Sequence, residues 1–160
     1  MMKQIQLTRG QFATVDDEDF DRLSKFKWHT ITPCTVMYAQ TRLFSGKSGT
    51  KGELKYMHRM IMNAPPGMVV DHIDGDGLNN SKKNLRICTQ KNNCANRGAN
   101  KNSASGIKGV TYCKQTGKWR AVIEHQGKQK SLGRHSTIEG AKSAYQKESQ
   151  MLHGEFARVV

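Results

Sequence analysis

From Gly77 to Ile123 the sequence contains no acidic residue. Between Ser81 and Arg134 thirteen lysines and arginines stand against one acid, Glu124, and the 160-residue chain carries a formal charge of +13. A gap of this length in negative charge concentrates a positive field in the middle third of the molecule, and such a field attracts polyanions, DNA and RNA first among them. The plainer reading is a basic but solvated face, and the length of the acid-free run weighs against it.

Other absences narrow the field further. No stretch approaches the roughly 18 consecutive apolar residues that a membrane-spanning helix needs, so no membrane partner is expected. The first twenty residues, "MMKQIQLTRGQFATVDDEDF", lack the apolar core of a signal peptide. The expectation is a protein made and used in the cytoplasm, which the resemblance given below would place in a bacterial or phage-infected cell. Cys34, Cys88, Cys94 and Cys113 form no C-x-x-C pair, which supports neither a disulfide framework nor a zinc clamp. The exposed aromatic run that would stack unpaired bases is also missing, which ranks RNA below double-stranded DNA. Hydrophobic residues make up 36% and mean hydropathy is −0.71, so the chain is polar, with room for one or two modest cores.

Three regions separate along the chain. Residues 1–68 begin with strand-like "IQLT" and "FATV". "DDEDFDRLSKF" follows, a short helix that Asp16 or Asp17 can cap, with Phe20, Leu23 and Phe26 at spacings of three. "VMYAQTRLF" reads as a strand, "SGKSGTKG" as a turn, and "LKYMHRMIM" as a helix stopped by Asn63 and Pro65-Pro66. Residues 69–97 read as strand "MVVDHI", loop "DGDGLNN", strand "NLRIC" and helix "TQKNNCANR", with Thr89 as cap. That order sets the end of the first strand against the helix face, where Asp71, His72 and Asn93 could meet. Residues 98–106 lack apolar periodicity and read as a linker. Residues 107–160 hold three short alternating segments with turns at Thr116-Gly117 and Gln126-Gly127, then a helix from Thr137 to His153 with an apolar stripe that can cover one sheet face. The other sheet face would be basic and suited to a DNA groove.

The chemistry lies in "VVDHIDGDGLNNSKKNLRICTQKNNCANR", residues 69–97. Phosphodiester hydrolysis needs a base that takes a proton from water, a Lewis acid for the developing charge, and something that orients the base. The imidazole of His72, with an ordinary pKa of about 6.5, suits the first role. Asp71 and the amide oxygen of Asn93 are hard oxygen donors suited to Mg²⁺ or Mn²⁺. Asn84 has both donor and acceptor and can pin either the loop or the imidazole. Against this, an Asp-His pair is common by chance and asparagine-rich loops are ordinary turns. "DGDG" is a poor calcium loop, because counting from Asp74 the fifth position is Leu78 and the twelfth Leu85.

The same stretch resembles the HNH nuclease motif of phage and intron-associated homing endonucleases: Asp-His, then "NL", then "N-x-x-N". The spacings of twelve from His72 to Asn84 and nine from Asn84 to Asn93 agree with it. The resemblance implies a ββα-metal finger around one divalent ion. Asp71 and Asn93 would ligate it, His72 would be the general base, and Asn84 would orient the histidine. His58 and Arg59 match a helix that commonly precedes the motif, where helix packing and phosphate contact are the favoured roles. Residues 105–160 resemble a DNA-binding domain of the Apetala-two/ethylene-response-factor type through "GIKGV", "GKWRAVI", "SLGRH", "EGAKSAY" and "HGEFA". This second resemblance implies a three-stranded sheet in the major groove. Lys108, Thr111, Tyr112, Arg120, Gln129, Ser131 and Arg134 would lie on or beside its DNA side. Trp119, Ala121, Ile123, Leu132 and Tyr145 would lie on the core side. His135 replaces a usual aromatic and Lys130 a usual apolar residue, so the DNA sequence read by that family does not transfer. The N-terminal segment also resembles, more loosely, the leader of phage proteins that carry both modules.

The expected fold class is α+β: a small N-terminal α+β region, a ββα-metal motif, and a three-stranded antiparallel sheet on one helix. The expected function is a metal-dependent endonuclease of homing or phage type that cuts double-stranded DNA with one Mg²⁺ or Mn²⁺, no small-molecule cofactor, and a monomer favoured. The rival is a non-catalytic DNA-binding regulator with a decayed site, and the intact Asp71, His72, Asn84 and Asn93 argue against decay.

Overall fold

The structure, a computed structural model, describes residues 1–33, 35–44, 51–100 and 102–158. Cys34, Lys101 of the linker and most of the glycine- and serine-rich turn after Phe44 lie outside the described residues. The chain divides into two compact units, Met1–Asn93 and Cys94–Val160, and the mixture of small sheets and helices is α+β as expected.

The first unit opens with a hairpin of β1 (Met2–Gln6) and β2 (Phe12–Asp16). Ile5 pairs with Ala13, and together with Val15 they bury the inner face, as strand alternation requires. α1 (Asp17–Leu23) begins with Asp17, Glu18 and Asp19, carboxylates favoured at the positive end of a helix. Asp16 stands at its N-cap but makes no side-chain cap. Its Oδ2 accepts the backbone N–H of Lys82 at 2.7 Å, so it ties two distant segments together. Phe26 lies past the end of the helix, yet it packs on the same core as Phe20 and Leu23. Trp28, almost fully buried, donates its indole N–H to Leu23 O at 2.8 Å.

β3 (His29–Ile31), β4 (Tyr38–Leu43) and β5 (Glu53–Tyr56) form an antiparallel sheet with β4 in the middle. Here the structure corrects the sequence reading of "LKYMHRMIM" as one helix. Leu54–Tyr56 belong to β5, paired with Arg42–Gln40 of β4, and the helix α2 covers only Met57–Met62. Asn63 ends it in the left-handed conformation, φ 45°, a role asparagine tolerates. The hairpin of β6 (Val69–His72) and β7 (Leu85–Cys88) follows, and α3 (Gln90–Asn96) begins immediately after β7. Thr89 caps α3 as expected, its Oγ1 accepting from Asn92 N at 3.3 Å.

In the second unit β8 (Val110–Cys113), β9 (Lys118–His125) and β10 (Lys128–His135) make an antiparallel sheet with β9 central. α4 (Ile138–His153) covers one face, burying Ala141 and Tyr145 against Val110, Ala121 and Ile123, with Trp119 and Leu132 at the margin. Thr137 caps it, its Oγ1 accepting from Gly140 N at 3.1 Å. Lys130 reaches Glu148 on α4 at 2.9 Å. Gly109 lets β8 enter beneath Tyr145. Its φ is +72°, and a Cβ there would lie 2.3 Å from the Tyr145 ring and from Val122 O.

Candidate active site

The antiparallel register of β6 and β7 sets Asp71 opposite Arg86 and His72 opposite Leu85. Two buried polar side chains in succession on one strand need compensation. Asp71 receives it from Arg86, whose Nε and Nη2 donate to Oδ2 at 2.9 and 2.7 Å in a pair largely shielded from water.

His72 lies in a pocket of rings. Its centroid is 5.1 Å from His58 and 5.8 Å from Tyr38, and His58 in turn stacks on Tyr56 at 5.3 Å. β4, β5 and α2 supply these neighbours, so the sheet of the first unit serves as a wall of the site. Burial pushes the imidazole pKa of His72 below the ordinary value. The Asn80 hydrogen bond and the charges of Asp74, Asp71 and Asp76 offset only part of that shift. His58 is pushed further, to about 3, by burial first and then by the neighbouring His72 and Arg59, and its Nδ1 has no hydrogen-bond partner among the described residues. Both histidines are therefore neutral at pH 7. Arg59 donates to Met68 O at 3.0 Å and links α2 to the chain that enters β6.

The loop between the two strands, Ile73–Ser81, is organised around Asp74. Its Oδ1 accepts from Asp76 N at 2.8 Å and from Asn84 Nδ2 at 2.9 Å, and its Oδ2 accepts from Asn79 Nδ2 at 2.7 Å. Burial opposes ionisation of Asp74, but the Asp76 N–H and the Asn79 and Asn84 amides outweigh it and hold its pKa low. Asn84 clasps this loop at three points. Its Nδ2 also donates to Asn79 O at 2.8 Å, and its Oδ1 accepts from Asp74 N at 3.1 Å. Of the two roles the sequence left open for Asn84, these bonds serve the loop. The bond to the imidazole comes from Asn80, whose Oδ1 lies 3.4 Å from His72 Nε2. Gly77 passes so close under Tyr38 that a Cβ would meet Met37 O at 2.3 Å and the tyrosine ring at 2.6 Å.

Asn93 lies half-buried on α3, its backbone N–H donating to Thr89 O at 3.0 Å. No cluster of three or more His, Cys, Asp or Glu able to hold a metal occurs among the described residues. The donors on offer are the buried carboxylate of Asp71 and the amide oxygen of Asn93. Two hard oxygens fit a small divalent ion that keeps several waters and takes substrate phosphate oxygens.

In the second unit Thr111, Arg120, Gln129, Ser131 and Arg134 are exposed on the face away from α4. Thr111 pairs with Arg120 and Arg120 with Arg134 across the strands. Tyr112 pairs with Trp119 and touches its ring at 5.0 Å, so it shares the margin of the core face while staying half-exposed. Lys108 is drawn inward, its ammonium donating to Cys94 O and Ala95 O at 2.9 Å each, where it caps the end of α3. Burial lowers its pKa.

Sequence reasoning did not reach Arg86, Asn80, Tyr38 or a contact between His58 and His72. Arg86 becomes visible only when the two strands are paired in register, and Asn80 only when the loop is folded.

Comparison with known proteins places the same stretch in a known family model. Residues 55–95 match the family model described as HNH endonuclease. Protein 3.8 of Escherichia phage T7 is 36% identical over 94 residues, 59% of this chain and 77% of its own length. The HNH endonuclease L560 of Acanthamoeba polyphaga mimivirus, uncharacterized by its title, is 29% identical over 160 aligned residues, 93% of this chain and 74% of that protein. YosQ of the SPbeta prophage of Bacillus subtilis (strain 168), assigned by name to the HNH homing endonucleases, is 46% identical over 52 residues, 29% of each chain. No solved structure gives a significant match.

Proposed function

We propose, from the match of residues 55–95 to the HNH endonuclease family model, that the chain is a metal-dependent endonuclease hydrolysing phosphodiester bonds in double-stranded DNA. The observation that carries the reading is the pairing of a buried neutral imidazole, His72, with a buried carboxylate, Asp71, at the end of one strand. His72 takes the proton from the attacking water as the new P–O bond forms. The P–O3′ bond breaks, and the leaving oxygen takes a proton from solvent, giving 5′-phosphate and 3′-hydroxyl ends. Asp71 and Asn93 would hold one divalent ion, Mg²⁺ or Mn²⁺, which supplies Lewis-acid stabilisation of charge on the phosphorane and on the leaving oxygen. Arg86 holds the Asp71 carboxylate in place through its two N–H donors, and Asn84 fixes the loop beside the site.

The outer face of the second unit's sheet is the DNA-holding surface in this reading, as in an Apetala-two/ethylene-response-factor domain. Support comes from Arg120 opposite Arg134 on that face. Like charges directly opposed across two strands destabilise a sheet, and a phosphate backbone relieves the repulsion. The prophage relative makes a homing role the favoured biological setting. Supercoiled plasmid incubated with the protein, with and without Mg²⁺, tests the activity. Metal-dependent conversion to relaxed or linear DNA is expected from the wild type, and no conversion from a folded His72→Ala protein at matched times.

A further inference from the structure

The tautomer of His72, and hence which ring nitrogen takes the proton, is written in the bonds of a residue outside the HNH signature. Asn80 is almost wholly buried and is held at three points. Its backbone N–H donates to Thr14 O of β2 at 2.7 Å, its Nδ2 donates to Leu78 O at 3.1 Å, and its Oδ1 faces His72 Nε2 at 3.4 Å. Turning the amide over would set Oδ1 against the Leu78 carbonyl, two acceptors with no proton between them. The amide is therefore fixed with its oxygen toward the imidazole, and an amide oxygen only accepts. Nε2 must then carry the proton. In a neutral imidazole the other nitrogen, Nδ1, has the lone pair.

We infer that Asn80 is the positioning residue of the proposed nuclease site, holding His72 as its Nε2–H tautomer so that Nδ1 is the atom that accepts the proton from water. The inference deepens the endonuclease reading and rests on it for the role of Nδ1, while the tautomer itself is a property of the resting protein. It also gives the N-terminal hairpin a task. Thr14 N donates to Leu78 O at 2.9 Å and Thr14 O accepts from Asn80 N, so β2 holds both ends of the short segment that aims the amide. Asn84 and Asn80 divide the work: one clasps the loop, the other turns the ring.

The test is nitrogen-15 NMR of the full-length protein labelled in its histidine rings, with His72 assigned by its absence from a His72→Gln spectrum. Above pH 7 the wild type should show His72 as the Nε2–H tautomer, and a resonance pattern of Nδ1–H would overturn the proposal whether or not the protein cuts DNA. Asn80→Ala should populate the other tautomer and lower kcat about 10–100-fold, the usual cost of losing a group that orients a catalytic ligand, with KM for DNA within about twofold of wild type. Asn80→Asp keeps an acceptor in the same place and should restore the Nε2–H form. An Asn80→Ala protein with an unchanged His72 tautomer would also overturn the assignment. Should Asn80→Ala fail to fold, the wild-type spectrum decides alone. A wild type with the expected tautomer and no metal-dependent cutting would sink the nuclease reading and leave the orientation by Asn80 standing.

Discussion

At the residue scale, His58 is a histidine that cannot charge where it sits. Burial against Tyr56, Tyr38 and His72 lowers its pKa from 6.5 to about 3, so below neutral pH the unfolded chain binds a proton that the folded chain refuses. The stability contributed by the neutral ring is complete above pH 6.5 and drains as pH falls toward 3, by up to about 1.4 kcal/mol for each pH unit. His72, shifted in the same direction, steepens the loss. Urea midpoints at pH 7.5 and pH 4.5 should therefore differ strongly for the wild type and less for His58→Phe. Equal slopes in the two proteins would clear His58 as the source. The neighbouring pair should separate by chemistry. His72→Ala should keep DNA and Mg²⁺ binding while cleavage drops by about 10²–10⁴-fold, the usual worth of a positioned base. Asp71→Ala should lose metal affinity, measured by calorimetry, and should also destabilise the fold, because the largely shielded Arg86 loses its ion pair with Asp71. Were alanine substitutions of Asp71, His72, Asn84 and Asn93 to change stability alike and none to change catalysis selectively, these residues would be builders of a turn. Asp71 and His72 were legible in the sequence because they are adjacent and polar within an apolar strand. Arg86 and Asn80 were not, because their partners lie fifteen and eight residues away and only register and loop closure bring them near.

At the scale of elements, local signals succeeded where local physics decides. α4 was readable from its threonine cap and helical stripe, and α3 from Thr89, because caps and periodicity act within one or two turns. β5 was not readable. "LKYMHRMIM" carries no internal mark of the point where pairing with β4 ends and the helix begins, and that ladder joins segments separated in sequence by residues 44–52. Glycines were readable as turns, but not the difference between a turn that is merely tight and one that another element occupies. Gly109 and Gly127 both have positive φ, yet a Cβ at Gly127 meets nothing within 4 Å, whereas at Gly109 it would enter the Tyr145 ring. Gly127→Ala should cost only the left-handed strain, about 1–2 kcal/mol. Gly109→Ala should cost clearly more, since overpacking adds roughly 1–3 kcal/mol and β8 must leave its place under α4. Thermal melts of the two variants beside the wild type check the order. Equal losses would mean that the approach of β8 to Tyr145 is not tight.

At the scale of the whole molecule, the charge that marks the sequence and the repulsion built into the sheet concern the same partner. The acid-free run crosses both units, and on the exposed face of the second its Arg120 faces Arg134 of the neighbouring strand. Such a pair burdens the free protein by a few tenths of a kcal/mol and becomes useful only when phosphates lie over it. Arg134→Ser should accordingly move two observables in opposite directions. The free protein should melt at the same or a slightly higher temperature, because a like-charge contact has gone. DNA affinity should fall, and the slope of log K against log salt should flatten by about one unit, because one phosphate contact is lost. The metal-dependent cleavage rate at saturating DNA should stay near wild type, since the substitution leaves His72, Asp71 and Asn93 untouched. Lys142→Ser, on α4 and so on the opposite side of the sheet, is the control and should leave the salt slope unchanged. A protein in which Lys142→Ser flattened the slope and Arg134→Ser did not would be holding DNA on its helix side, and the sheet would lose its assigned part.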